Sequence, residues 1–173
     1  MDIEESLLLG NRNFRSWSFS NDENIERFAN LVHGQDPYAM IITCSDSRVI
    51  PEQIFSCGVG ELFVIRTAGN VINEGELASI EYGIEHLYIE YILVLARTHC
   101  GAVHAAIHDE KGSYLSPILT NIKRCIGNER NETQASITNA IKQVEYIKSK
   151  FPDYQGTVKA ALYDIDFREV TII

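Results

Sequence analysis

The sequence predicts an α/β protein of one domain, 1–173, with a mostly parallel central β-sheet flanked by helices. Three short apolar runs, each followed by a cluster of polar residues, are typical of buried parallel strands. A helical pattern between the second and third runs completes a strand–helix–strand unit, which is almost always right-handed and parallel. The length of 173 residues is enough to bury a substantial core.

The N-terminal segment predicts two helices. Apolar residues recur among polar ones over 4–14 and again over 24–32. The apolar residues of the two segments are Leu7, Leu8, Leu9, Phe14, Ile25, Phe28, Ala29 and Val32. We expect these helices to form an N-terminal helical arm.

The first two strands follow. Tyr38–Thr43 is an apolar run that stops at the polar group 44–48, and Pro51 suits the first turn of a short helix through Phe55. The second run, Glu61–Ile65, stops at 66–70, where glycine and asparagine are typical turn residues.

A helix and the third strand come next. Asn73 with Glu76 is a plausible capping pair for a helix, because the glutamate can accept a hydrogen bond from the cap backbone. The helix leads into the apolar run Tyr91–Ala96, which ends at 97–101. The apolar face of this helix comprises Leu77, Ile80, Ile84 and Leu87.

The C-terminal part predicts a long helix and a pair of strands. Glu132–Lys150 is amphipathic, and Val158–Tyr163 and Glu169–Ile173 are predicted strands joined by a turn. The predicted core-facing stripe of the helix is Ile137, Ile141, Val144 and Ile147.

Composition excludes several classes of function. Fifteen Lys and Arg residues against 24 Asp and Glu give a net charge of −9, which is not that of a nucleic-acid binder. No window has the roughly 18 uninterrupted apolar residues of a membrane span. The acidic N-terminus does not resemble a secretory signal, so we expect a cytoplasmic protein with no nucleic-acid or membrane partner.

Two cysteines point to a metal site. Cys44 and Cys100 each follow a predicted strand, and the carboxyl ends of parallel strands share one edge of the sheet. With Asp46 and His99 close by, these side chains are ligands that Zn²⁺ accepts. The alternative is that both cysteines are ordinary buried residues.

Other functions of cysteine and histidine residues are less well supported by this sequence. A cysteine phosphatase needs an arginine six residues after its nucleophile, and Ala106 stands there after Cys100. A cysteine–histidine hydrolase needs a base that faces the thiol, which the adjacent His99 does not supply. His104 and His108 stand four residues apart and could share one helix face, where histidines are more often surface or hydrogen-bonded residues than metal ligands.

Three motifs together resemble those of the β-class carbonic anhydrases. They are CSDSRV at Cys44–Val49, RTAGN at Arg66–Asn70 and THCGAV at Thr98–Val103, in the family's order and spacing. The resemblance extends over nearly the whole chain. It implies a zinc lyase that interconverts CO₂ and bicarbonate through a zinc-bound hydroxide.

The resemblance also implies roles for individual residues. Cys44 and Cys100 correspond to the two zinc thiolates of the family, and Asp46 with Arg48 corresponds to its catalytic pair. The residues expected to bind substrate are Gln35, Gly69, Asn70 and Tyr82. Members of the family are dimers or larger homo-oligomers.

One position departs from the family. The histidine that ligates zinc stands three residues before the second cysteine in family members, and Arg97 stands there in this chain. Arginine stays protonated and cannot ligate Zn²⁺. Asp46 is the preferred replacement, giving the set Cys44, Asp46 and Cys100, and His99 is a less favourable one. A milder departure is Thr67, where the family usually has asparagine.

This departure leaves two hypotheses. The first is a zinc enzyme whose activity Arg97 impairs and whose zinc is substoichiometric or absent. The alternative is a non-catalytic carbonic anhydrase-related protein that binds an anion or a partner. In it Arg97 fills the metal cavity, pairs with Asp46 and holds an anion such as bicarbonate or phosphate.

Overall fold

The computed structural model describes residues 2–173 and contains a five-stranded sheet of order β2-β1-β3-β4-β5. The strands are β1 (Ala39–Cys44), β2 (Leu62–Thr67), β3 (Tyr91–Arg97), β4 (Thr157–Asp164) and β5 (Glu169–Ile172). Strands β1 to β4 pair in parallel, and β5 is antiparallel to β4. The predicted α/β fold with a mostly parallel sheet is confirmed.

Seven α-helices accompany the sheet in the described residues. They are α1 (Ile3–Ser18), α2 (Asp22–Leu31), α3 (Pro51–Ile54), α4 (Glu74–His86), α5 (Gly101–Ile107), α6 (Ser116–Ile126) and α7 (Glu132–Lys150). The predictions did not include α6, and they named α5 only as a helix whose face His104 and His108 could share. Proline in the first turn of α6 and apolar residues at helical spacing are the signals for it in the sequence. Over residues 2–173 no helix is both long and apolar enough to cross a membrane.

The chain forms two compact units, of which one ends at Asp36 and the other spans Pro37–Ile173. The first contains α1 and α2, and the aromatic rings of Phe14, Trp17 and Phe28 pack together within it. The second contains the sheet and the remaining helices. The single domain over 1–173 stays a prediction.

Helix α7 packs against β3 and β4, but with a different face from the one predicted. Val144 and Ile147 are buried as predicted, whereas Ile141 is 38% exposed and Ile137 is only half-buried. The buried face instead includes Ala135, Ser136, Asn139, Ala140 and Gln143. The predicted stripe was wrong there because buried polar residues, which bond to a loop near the strand ends, carry no apolar signal.

The register of the sheet brings three strand ends to one edge. Cys44 at the end of β1 is paired with Thr67 at the end of β2. Thr43 is paired with Leu95 of β3, and its hydroxyl donates a hydrogen bond of 2.8 Å to the Leu95 carbonyl. Polar residues that follow these strands therefore meet at one edge, where ligands bind in parallel α/β sheets.

Candidate functional site

Two buried thiols lie in contact at this edge. Cys44 is 4% exposed and Cys100, immediately before α5, is 2% exposed. The hydrogen bond between them lowers the pKa of Cys44 and, together with burial, raises the pKa of Cys100. Arg97 and the backbone N–H of Gly69, 3.4 Å from Cys44 Sγ, also lower the Cys44 pKa. Of the two thiols, Cys44 is therefore the one that loses its proton more readily.

Two arginines hold the carboxylate of Asp46. The Arg48 side chain donates from Nε to Oδ1 and from Nη2 to Oδ2, each at 2.9 Å. Nη2 of Arg97 lies 2.6 Å from the same Oδ2. The hydrogen bonds from Arg48 and the charge of Arg97 hold the pKa of this carboxyl well below its usual range.

Arg97 is a buried cation. Its side chain is 4% exposed, and Nη1 donates to the backbone carbonyls of Thr98, at 3.2 Å, and His99. Within residues 2–173 its Nε has no hydrogen-bond partner. A buried guanidinium is tolerated because a carboxylate and backbone oxygens surround it.

A third arginine contributes to the same edge. Arg66 donates from Nη2 to the backbone carbonyl of Asp46, at 2.7 Å, and from Nε to that of Cys44, at 3.4 Å. Arg48 and Arg97 thus bind the carboxylate of Asp46, whereas Arg66 binds backbone carbonyls beside it. Three arginines therefore lie at this edge of the sheet, although the whole chain is acidic.

The turn after β2 has a conformation that requires glycine. Gly69 has φ 68°, and a Cβ atom there would lie 2.9 Å from Cδ1 of Ile122 and 3.1 Å from Cβ of Ala102. The next residue, Asn70, also has positive φ and is 2% exposed. Its Nδ2 has no hydrogen-bond partner in the described part of the chain.

Two polar residues of α7 fix this turn, and the sequence analysis missed both. Asn139 donates from Nδ2 to the carbonyl of Gly69, at 2.9 Å. Gln143 accepts from the backbone N–H of Ile72, at 3.1 Å, and donates to Asn139, at 3.3 Å. Both are at most 1% exposed. Their spacing of four residues on an amphipathic helix was the available signal.

His99 faces away from the thiols. Its backbone has φ 54°, and its Nε2 lies 2.8 Å from Oδ2 of Asp166 in the β4–β5 connection. The side chain is 58% exposed. This arrangement does not favour His99 as the substitute ligand.

Two predicted substrate residues belong to other parts of the chain than the strand-end motifs. Tyr82 lies on α4, 47% exposed, with its ring against those of Phe63 and His86. Gln35 belongs to the unit that ends at Asp36. Their roles in substrate binding stay predictions, whereas Gly69 and Asn70 do lie beside Cys44.

The donor set does not fit zinc as it is arranged. Zinc requires three or four convergent ligands, and in residues 2–173 no group of three His, Cys, Asp or Glu side chains converges in this way. Asp46 is paired with two cations, and the fixed charge of Arg97 beside Cys44 would repel a metal ion. The set Cys44, Asp46 and Cys100 stays a prediction that requires Arg97 to move.

Comparison with known proteins identifies the family. The family model for carbonic anhydrase matches residues 39–166, which include all the strand-end residues described above. The chain belongs to the carbonic anhydrase family. The solved structure of the beta-carbonic anhydrase CcaA is 29% identical, with a TM-score of 0.84 over 98% of this chain and 86% of that chain. These matches support membership of the β class.

Two more structures share the fold. A beta-carbonic anhydrase of Sordaria macrospora, described as tetrameric, is 23% identical and has a TM-score of 0.82 over 98% of this chain and 95% of its own. The enzyme CafA of Aspergillus fumigatus is 22% identical and has a TM-score of 0.85 over 99% of this chain and 91% of its own. At these identities the likeness concerns the fold alone.

Carbonic anhydrases also match by sequence. That of Synechococcus elongatus is 49% identical over 103 residues, which is 56% of this chain and 37% of the relative. Carbonic anhydrase 2 of Mycobacterium tuberculosis is 47% identical over 85 residues, 49% of this chain and 41% of the relative. The chain thus spans less than half the length of these two relatives.

Proposed function

We propose that this chain is a carbonic anhydrase relative that binds bicarbonate at the strand ends and does not hydrate CO₂ rapidly. The observation that carries the proposal is the buried ion pair of Arg97 with Asp46, at 2.6 Å. It supplies a permanent cation beside Cys44, where the motif of the family calls for a zinc ligand. The site thereby keeps a positive charge and lacks a metal-activated hydroxide.

Unpaired donors support an anionic ligand. Nε of Arg97 and Nδ2 of Asn70 are both buried, and neither has an acceptor in the described residues. Leaving a buried donor without a partner costs about 1–3 kcal/mol, so an acceptor-rich ligand stabilises the site. Bicarbonate offers three oxygens and a negative charge, which suits the three nearby arginines.

The same contacts make Asp46 a poor base. A general base that works near neutral pH needs a pKa close to that pH. Asp46 has its pKa held far below this range by Arg48 and Arg97. It therefore orients donors and balances charge, and it does not remove a proton from water.

The test combines a measurement of bicarbonate binding with a measurement of the rate of CO₂ hydration. Bicarbonate, compared with chloride at equal ionic strength and pH, should raise the melting temperature of the wild type. Arg97→Met should lose this shift, and Arg168→Met, which changes an exposed arginine, should keep it. Stopped-flow assays should give CO₂ hydration close to the uncatalysed rate. Rapid hydration, or no bicarbonate-specific shift in the wild type, would overturn the proposal.

The contact of two buried thiols favours a second candidate, a zinc-dependent hydratase. Cys44, Asp46 and Cys100 would hold the metal after Arg97 swings away, and bound zinc lowers the pKa of its water to about 7. Asp46 would then exchange its ion pair with Arg97 for coordination. Metal analysis of protein purified without added zinc separates the two candidates. The zinc-dependent hydratase requires bound zinc in the wild type and the loss of that zinc in Cys44→Ser.

We also propose a cytoplasmic homo-oligomer, at least a dimer. Exposed apolar side chains on α1 support self-association, because their burial between subunits would remove apolar surface from water. They include Ile3, Leu7, Leu8, Phe14 and Trp17.

A further inference from the structure

A groove between α6 and α7 is lined by residues other than those of the strand-end motifs. Its volume is about 400 Å³. Asn121, Arg124 and Cys125 of α6 line one side of it, and Lys142 and Tyr146 of α7 line the other. A volume of this size is typical of sites for small organic ligands.

Hydrogen bonds fix the orientation of two amide groups at the floor of this groove. The backbone N–H of Ile72 donates to Oε1 of the buried Gln143, so Nε2 of Gln143 is the atom that donates to Oδ1 of Asn121, at 3.0 Å. The thiol of Cys125 donates to the same Oδ1, at 3.6 Å. The oxygen of the Asn121 amide is thus occupied, whereas its Nδ2 donates to no acceptor within residues 2–173.

Two cations lie beside this amide. Arg124 is exposed, and its guanidinium has no ion-pair partner in the described part of the chain. Nζ of Lys142 lies 2.7 Å from Oε2 of Glu145, which balances part of its charge. Burial raises the pKa of the Cys125 thiol, and the charges of Arg124 and Lys142 act in the opposite direction. Both cations are therefore close to the same thiol of the groove.

A second cavity continues the groove and offers apolar surface. Its volume is about 280 Å³, and it shares Arg124 and Tyr146 with the first cavity. Ile72 and Pro117 also line it. Glu74 lines it as well, in the first turn of α4, where the helix dipole favours a negative charge.

Donors without acceptors and a cation without a counter-charge favour an anion with several oxygens. A phosphate monoester has three acceptor oxygens and about two negative charges at neutral pH, and a guanidinium matches it with two parallel hydrogen bonds. A water molecule takes about 30 Å³ of the liquid. The groove therefore has room for an organic group beside the phosphate.

We propose that the groove between α6 and α7 binds a small organic phosphate. Arg124 and Nδ2 of Asn121 hold the phosphate group, Lys142 adds a nearby positive charge, and the ring of Tyr146 contacts the organic part. The site is independent of the function proposed for the strand ends.

Calorimetric titration of the full chain with phenyl phosphate, in chloride buffer at constant ionic strength, tests this proposal. Arg124→Gln should weaken binding at least about tenfold, because it removes charge-assisted hydrogen bonds to the phosphate. Glu145→Gln should strengthen binding, since it releases Lys142 from its ion pair and removes a negative charge. Lys148→Gln is the matched control, because it removes an exposed charge of α7 outside the groove and should leave the affinity unchanged.

Two further comparisons identify the site and the class of ligand. Arg97→Met removes the buried cation of the strand ends and should leave binding in the groove unchanged. Inorganic phosphate should bind more weakly than phenyl phosphate, because it leaves the apolar surface uncovered. Arg124, Glu145 and Lys148 are exposed, so their variants should keep the wild-type circular dichroism spectrum.

The proposal is overturned by any of three results. They are the absence of phenyl phosphate binding by the wild type, an unchanged affinity in Arg124→Gln, and the loss of binding in Arg97→Met. Equal affinities for inorganic phosphate and phenyl phosphate would overturn the assignment of an organic ligand.

Discussion

Arg97 and Asp46 form an ion pair of 2.6 Å in which the arginine side chain is 4% exposed and the aspartate 16%. Arg48 reaches the same carboxylate from solvent and is 52% exposed. The two arginines are therefore not equivalent, because only Arg97 depends on Asp46 for a counter-charge away from water.

Arg97→His should raise zinc content toward one ion per chain. The substitution removes a fixed cation from beside Cys44 and supplies a neutral imidazole at the end of β3, so that Cys44, the introduced imidazole and Cys100 can share a metal. CO₂ hydration should rise by orders of magnitude. Elemental analysis and stopped-flow assays measure the two effects.

The control for this prediction is Arg97→Gln, which removes the charge without adding a strong ligand and should bind less zinc. In the Arg97→His background, Cys44→Ser should abolish zinc binding and Asp46→Asn should lower the hydration rate. An Arg97→His protein with no more zinc than the wild type contradicts the prediction.

Asp46→Asn should lower the free energy of unfolding by about 3 kcal/mol, because it leaves the buried guanidinium of Arg97 without a counter-charge. Urea denaturation of the wild type and the variant measures this change. Adding Arg97→Met to Asp46→Asn should restore much of the loss. A double variant no more stable than Asp46→Asn would mean that the cost arises elsewhere.

Lowering the pH should decrease the free energy of unfolding of the wild type more than that of Asp46→Asn. The pKa of Asp46 is lower in the folded chain than in the unfolded chain, where it is near 3.9. The unfolded state thus binds more protons, and the stabilisation from Asp46 is present above that value and lost as the pH falls below it. The difference between the urea midpoints of the two proteins should decrease from pH 7 to about pH 4 and about pH 3. A difference that stays constant with pH would contradict this prediction.

Asn139→Ala should destabilise the chain by about 1–3 kcal/mol, because it leaves the buried carbonyl of Gly69 without its donor. Gln134→Ala changes an exposed position on the same helix and should cost within about 0.5 kcal/mol. Chemical denaturation provides the comparison. Equal stabilities of the two variants would show that Asn139 does not hold the turn.

Light scattering at micromolar concentration should give at least twice the chain mass of 19.5 kDa. Leu7→Lys should reduce the mass if α1 lies at the interface, since Leu7 is 70% exposed. Glu4→Lys, which alters charge on the same helix without removing apolar surface, is the control. A wild-type monomer would contradict the proposed assembly.

The strands were predictable because buried parallel strands carry unmixed apolar runs, as β1 and β3 do. The motif cysteines and Asp46 were found for the same reason, since they directly follow such runs. The pairing of Arg97 with Asp46 was anticipated only within the non-catalytic hypothesis, because a side-chain rotamer decides it, and the structure places the two groups 2.6 Å apart. The spacing of Asn139 and Gln143 places them on one helix face, but it does not identify their partners, which are the backbone carbonyl of Gly69 and the backbone N–H of Ile72.

The positive charge that balances Asp46 belongs to Arg97, the last residue of β3. It arrives with the chain during synthesis and needs no capture of an ion from the surrounding solution. Assembly of the strand ends is therefore uncoupled from metal supply, and a strong chelator present during refolding should leave the yield of folded protein unchanged.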